Sequence, residues 1–74
     1  MTPNPITIQT SDGPLTLPGG STVSDALTRL IDDDARRAQV ATAVNGEFVA
    51  RGERPWRVLH HGDTLLCFGA ITGG

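Results

Sequence analysis

A chain of 74 residues is long enough for one small domain and too short for two. Its net charge of −2, with six arginines, no lysine and eight acids spread along the sequence, gives no basic footprint for nucleic acid. No apolar run is long enough to span a membrane, and Met1-Thr2-Pro3-Asn4-Pro5 lacks the basic start and apolar stretch of a signal peptide, so a cytoplasmic address is the default expectation. The lone Cys67 forms no intramolecular disulfide and supports no cysteine metal cluster within one chain.

The first periodic segment places Ile6, Ile8 and Thr10 on one face and Thr7 and Gln9 on the other, which predicts a half-buried strand. Ser11-Asp12-Gly13-Pro14 is turn chemistry, and Leu15-Thr16-Leu17 alternates again as the return strand before Pro18-Gly19-Gly20. Thr22-Val23-Ser24-Asp25 fits a helix capping pattern, and Val23, Ala26, Leu27, Leu30 and Ile31 then make one apolar stripe. Asp32-Asp33-Asp34 opposes the dipole of a helix C-terminus, so the helix is expected to end near Ile31 or Asp32, with the acids as its solvated end. A further helical turn over 35–39 has only weak support.

A strand over 40–44 follows, then Asn45-Gly46, the strongest short-range hairpin signal, with a return over 47–50. Residues 51–55 read as a polar loop and 56–58 as a short edge strand with Trp56 as a core-edge anchor. His60-His61-Gly62-Asp63 reads as a solvated turn, its adjacent histidines pointing apart and unable to chelate together. The last strand, 64–68, is nearly continuous in apolar residues, as suits a central strand. Leu65 and Cys67 are expected to face the helix, Cys67 as a buried inert thiol, with Leu66 and Phe68 facing outward. One amphipathic helix and a mixed sheet of four to five strands bury each other's apolar sides in two layers. A right-handed crossover makes the first and last strands central neighbours. This is the α+β β-grasp, or ubiquitin-like, arrangement, expected over 1–68 with a flexible Gly-Gly tail over 69–74.

The tail, Gly69-Ala70-Ile71-Thr72-Gly73-Gly74, bears no acid, base, nucleophile or metal ligand in a side chain. Composition alone reads it as a frayed end. The sharper reading makes the terminal carboxylate of Gly74, with a pKa of about 3.5, the reactive group. Two glycines without Cβ thread a slot too narrow for other residues, while β-branched Ile71 and Thr72 favour the extended backbone such threading needs.

Val44-Asn45-Gly46 with Val49 and Arg51, then Trp56, then Gly62-Asp63 opening the last strand, then Gly73-Gly74, resembles the thiamine-biosynthesis sulfur carriers of the ThiS type, from Ile6 onward. The resemblance implies a co-substrate rather than an enzyme, with no catalytic residue and no metal of its own. In that family a ubiquitin-activating-like enzyme, using ATP and Mg, adenylates the terminal carboxylate. Sulfur from a cysteine desulfurase or persulfide protein then displaces AMP to leave a thiocarboxylate, which thiazole synthase consumes. Carried onto this chain, the sulfur sits on Gly74 with Gly73 behind it, and Leu66, Phe68, Ile71 and Thr72 are the expected docking residues. Two other readings stay open. The small subunit of molybdopterin synthase shares fold and tail, but tends to carry a Pro-rich segment where this chain has Phe68-Gly69-Ala70-Ile71. A ubiquitin-like modifier joined to lysines of other proteins is the other.

Overall fold

The computed structural model describes residues 4–69. The chain begins with the antiparallel pair β1 (Ile6–Thr10) and β2 (Gly13–Leu17), in register from Ile6 opposite Leu17 to Thr10 opposite Gly13. The turn closes because the Thr10 hydroxyl donates to the Gly13 carbonyl at 2.7 Å and accepts the Asp12 N–H at 3.1 Å. Gly13 itself stands at φ +108°, a conformation a side chain would strain.

Helix α1 (Val23–Leu30) starts where the sequence places it. Thr22 accepts the Asp25 N–H at 3.3 Å, and the Asp25 carboxylate takes the Thr22 N–H at 2.9 Å, a reciprocal box worth about 1 kcal/mol. Val23, Ala26 and Leu27 are buried, and Leu30 and Ile31 pack half-buried against the same core. Each fully buried aliphatic side chain contributes roughly 1.5–3 kcal/mol.

The acidic run behaves differently from the expectation. Asp33 accepts the Ala35 N–H at 2.9 Å and caps a second helix, α2 (Asp34–Gln39), with Asp34 in its first turn and Arg36 and Arg37 in its last. Acids that oppose the end of one helix favour the start of the next, and here the second effect decides the structure. Val40, expected to open the following strand, is the C-cap of α2.

Strands β3 (Ala41–Val44) and β4 (Glu47–Val49) form the second hairpin, its turn made by Asn45 at φ +52° and Gly46 at φ +84° as a type I′ connection requires. The segment over 51–58 is a correction. A 3-10 turn (Arg51–Glu53) is continued by helical-type bonds from the Trp56 and Arg57 N–H groups to the Glu53 carbonyl, each at 2.9 Å, so Trp56 is wound rather than extended. Only Val58 pairs, bridging Thr22. Trp56 is 78% exposed and anchors no core edge.

β5 (Leu65–Phe68) closes the fold antiparallel to β3, giving the ladder β4-β3-β5. β1 lies beside β5, joined by a parallel bridge between Gln9 and Thr64 and by bonds from the Gln9 N–H to the Asp63 carbonyl and from the Gly62 N–H to the Thr7 carbonyl. Strand order is therefore β2-β1-β5-β3-β4, with first and last strands adjacent and α1 packed on one face: the β-grasp. The core is Ile8, Leu17, Val23, Ala26, Leu27, Val44, Val49, Leu59 and Leu65. No helix among the described residues is long and apolar enough to cross a membrane.

Candidate functional site

The candidate site is the outer face of the β4-β3-β5 ladder together with the point where β5 releases the chain. Register and the two-residue period of strands decide which side chains share a face. Thr42 stands opposite both Val49 and Cys67, and Val44 opposite Leu65, so these rows face the core. The intervening rows face away. Ala43 is flanked by Phe48 and Leu66, and Ala41 stands opposite Phe68. Phe48 is 68% exposed and Phe68 51%, while Leu66 is half-buried. The outer face therefore carries an apolar band ending on the last residue of β5. Gly69 follows, exposed.

Leu66 and Phe68 thus alternate with Leu65 and Cys67 in the sense the sequence suggests. Gly73, Gly74, Ile71 and Thr72 lie outside the described residues. Phe48 is a contributor that the sequence reading does not single out, placing it only within the return strand over 47–50. The signal was available, since its neighbour Val49 is the apolar residue of the opposite parity.

Cys67 lines a cleft of about 260 Å³ at the root of the tail, with Leu30, Ile31, Val40, Arg36 and Gly69 among its neighbours. Burial pushes its thiol pKa up, more than the charge of Arg54 lowers it, so the group is held away from the nucleophilic thiolate.

The turn that aims β5 is a polar network. The Asp63 carboxylate accepts Asn45 Nδ2–H at 3.0 Å and the His60 N–H at 2.8 Å, and Asn45 Oδ1 accepts the Thr64 N–H at 2.9 Å. Burial raises the Asp63 pKa, but the bonds from Asn45 and the His60 amide, with His60 and Arg57 nearby, outweigh it and hold the carboxyl below its ordinary range. His61 Nδ1 accepts the Thr7 N–H at 3.1 Å, which ties β1 to the same turn. Both histidines are exposed turn residues, and one is also a latch.

Known proteins share the family pattern and the fold of this chain. A family model described as the ThiS family matches residues 6–74. Among solved structures, a thiamine biosynthesis protein (ThiS) from Geobacter metallireducens is similar in fold, with a TM-score of 0.72 and 22% identity, covering 93% of this chain and 100% of that one. No curated protein matches the chain at a significant level.

Proposed function

The chain belongs to the ThiS family, and on that premise we propose that it is a sulfur carrier whose Gly74 carboxylate is converted to a thiocarboxylate for the thiazole ring of thiamine. A carboxylate resists nucleophiles because it is anionic and lacks a leaving group. Attack of that carboxylate on the α-phosphorus of ATP removes both defects: pyrophosphate departs and an acyl adenylate remains. The cationic clamp and Mg for this step belong to an adenylating partner of the ubiquitin-activating type. The terminal sulfur of a persulfide, from a cysteine desulfurase or persulfide protein, then displaces AMP at the Gly74 carbonyl carbon to give an acyl disulfide. A second thiol attacks the donor's sulfur, so that the S–S bond breaks, the thiocarboxylate leaves and the donor is left as a disulfide. Thiazole synthase is the acceptor. The chain acts throughout as co-substrate, its slim Gly73-Gly74 end reaching a closed site that keeps water from the acyl intermediate.

The observation that carries this reading is the extent of the family match, which runs through Gly73 and Gly74. Two features of the fold support it. β5 delivers the exposed Gly69 directly beside the outer apolar band, so Leu66, Phe68 and the missed Phe48 offer a docking face at the base of the tail. Cys67, the chain's one thiol, is partly buried with a raised pKa and so is unsuited to carry the mobile sulfur.

Intact mass of the protein purified from a host with its native pathway is the test. Replacement of one oxygen by sulfur on a chain ending at Gly74, together with capture of thiazole synthase, is the expected result. Capture of the large molybdopterin synthase subunit would move the chain to the other branch, and isopeptide adducts on lysines of other proteins would make it a modifier.

A further inference from the structure

Away from the sheet face, α1, α2 and the 3-10 turn enclose an open groove of about 350 Å³. Three arginines line it: Arg37 from α2, Arg51 from the 3-10 turn and Arg54 just after it. Facing them are the hydroxyl residues Ser24 and Thr28 of α1 and one acid, Asp34, which is ion-paired to Arg37. Among the described residues, neither Arg51 nor Arg54 has a carboxylate partner.

Part of this is helix capping. Arg54, 6% exposed, donates to the Arg37 carbonyl at 3.0 Å, to the Val40 carbonyl and through Nε to the Thr42 hydroxyl at 3.3 Å, and Arg51 donates to the Ala38 carbonyl, so both satisfy the C-terminal end of α2. Carbonyl dipoles use some of the fifteen or so N–H donors that three guanidinium groups hold (about five each) but cancel none of their formal charge. Two like charges are therefore held together at one groove wall, an arrangement that an anion relieves. Planar guanidinium forks match a tetrahedral oxyanion through paired N–H donors, and the Ser24 hydroxyl adds a neutral donor, whereas the Thr28 hydroxyl donates to the Ser24 carbonyl at 3.0 Å.

We propose that this groove is a binding site for a phosphate-type oxyanion, held between Arg51 and Arg54 with Ser24 and Thr28 at its rim. The site lies on elements separate from the tail and the outer sheet face, so it stands or falls independently of the sulfur-carrier reading.

The test is an amide NMR titration of the full chain with inorganic phosphate at constant ionic strength, with glycerol 3-phosphate as a second arm. Saturable shifts are expected at Ser24, Thr28, Ala38 and Gly52. Tighter binding of inorganic phosphate identifies the free ion as ligand, and tighter binding of glycerol 3-phosphate identifies a phosphomonoester. The decisive variant is Arg51→Gln, which removes the charge while keeping a polar side chain with N–H donors. It is expected to weaken binding on the order of tenfold or more while α2 amide shifts stay in place. Equal binding by Arg51→Gln, shifts that never saturate, or shifts spread equally over Arg29, Arg36 and Arg57 would each overturn the proposal. If α2 is disturbed in Arg51→Gln, Ser24→Ala supplies the second variant: weaker phosphate binding upholds the site, and unchanged binding refutes it.

Discussion

The two faces of the β4-β3-β5 ladder use similar residue types, yet they do different work. On the inner face Leu65, Val44 and Val49 are sealed beneath α1 and join one core. On the outer face Phe48 and Phe68, larger and more apolar, remain in contact with solvent among the described residues. In a chain this short one covered face supplies the stability, and a second apolar band adds surface rather than core. The inner face therefore accounts for folding, and the outer face is suited to association. Substitutions that touch one face and spare the other separate these roles.

The largest effect belongs to the inner face. Leu65→Ala removes a side chain with no solvent exposure and is expected to cost about 2–5 kcal/mol in urea unfolding. A cost below about 1 kcal/mol would mean that the inner face does not hold the fold. Next come Phe68→Asp and Phe48→Asp on the outer face. These should leave unfolding free energy within about 0.5 kcal/mol of the parent. Affinity for thiazole synthase or the adenylating enzyme should fall on the order of tenfold or more. Collapse of the fold in either variant would erase the distinction between the faces.

A smaller effect is expected where the faces meet the turn before β5. The folded pKa of Asp63 lies below its ordinary value, so its contribution is complete above about pH 4 and is lost as pH falls through the folded pKa. Asp63→Asn should cost about 1–2 kcal/mol in neutral buffer, and the gap from the parent should close in acid. A gap that persists unchanged in acid would assign the effect to packing. The mildest test concerns Cys67, at the inner end of the tail's root. Its alkylation by iodoacetamide at neutral pH should run slower than that of a free peptide cysteine, because burial raises the thiol pKa. Alkylation as fast as the peptide's would show an accessible thiolate.

How far the sequence carried the structure depended on the distance between cause and effect. The Thr22–Asp25 box, the Asn45-Gly46 turn and the apolar stripe of α1 are set by residues within one or two turns of each other, and each appeared where local rules put it. α2 has no buried residue and hence no stripe to read; its signal was the Asp33 cap and the acidic-to-basic order of its turns. The acids do mark the end of α1 near Ile31, and what local rules do not show is that Asp33 also opens α2. Arg54 was illegible for another reason: its partners at Arg37, Val40 and Thr42 lie 12 to 17 residues away and meet it only in the folded chain. Trp56 followed the common rule that large aromatics pack inside, and the helical winding after Glu53 overrode it. Of the candidate site, Leu66 and Phe68 followed from strand parity, whereas Phe48 needed the register of β4 on β3 to join them.

The central claim is that the mobile sulfur resides on the backbone terminus and never on Cys67. Reconstitution with the adenylating enzyme, ATP, Mg, a persulfide donor and a thiol reductant tests it by intact mass on three chains: the parent, Cys67→Ala, and a chain lacking Gly74. The account predicts one oxygen-to-sulfur exchange in the parent and in Cys67→Ala, and none in the shortened chain. Sulfur gained by the chain without Gly74, or lost in a folded Cys67→Ala protein, would contradict it.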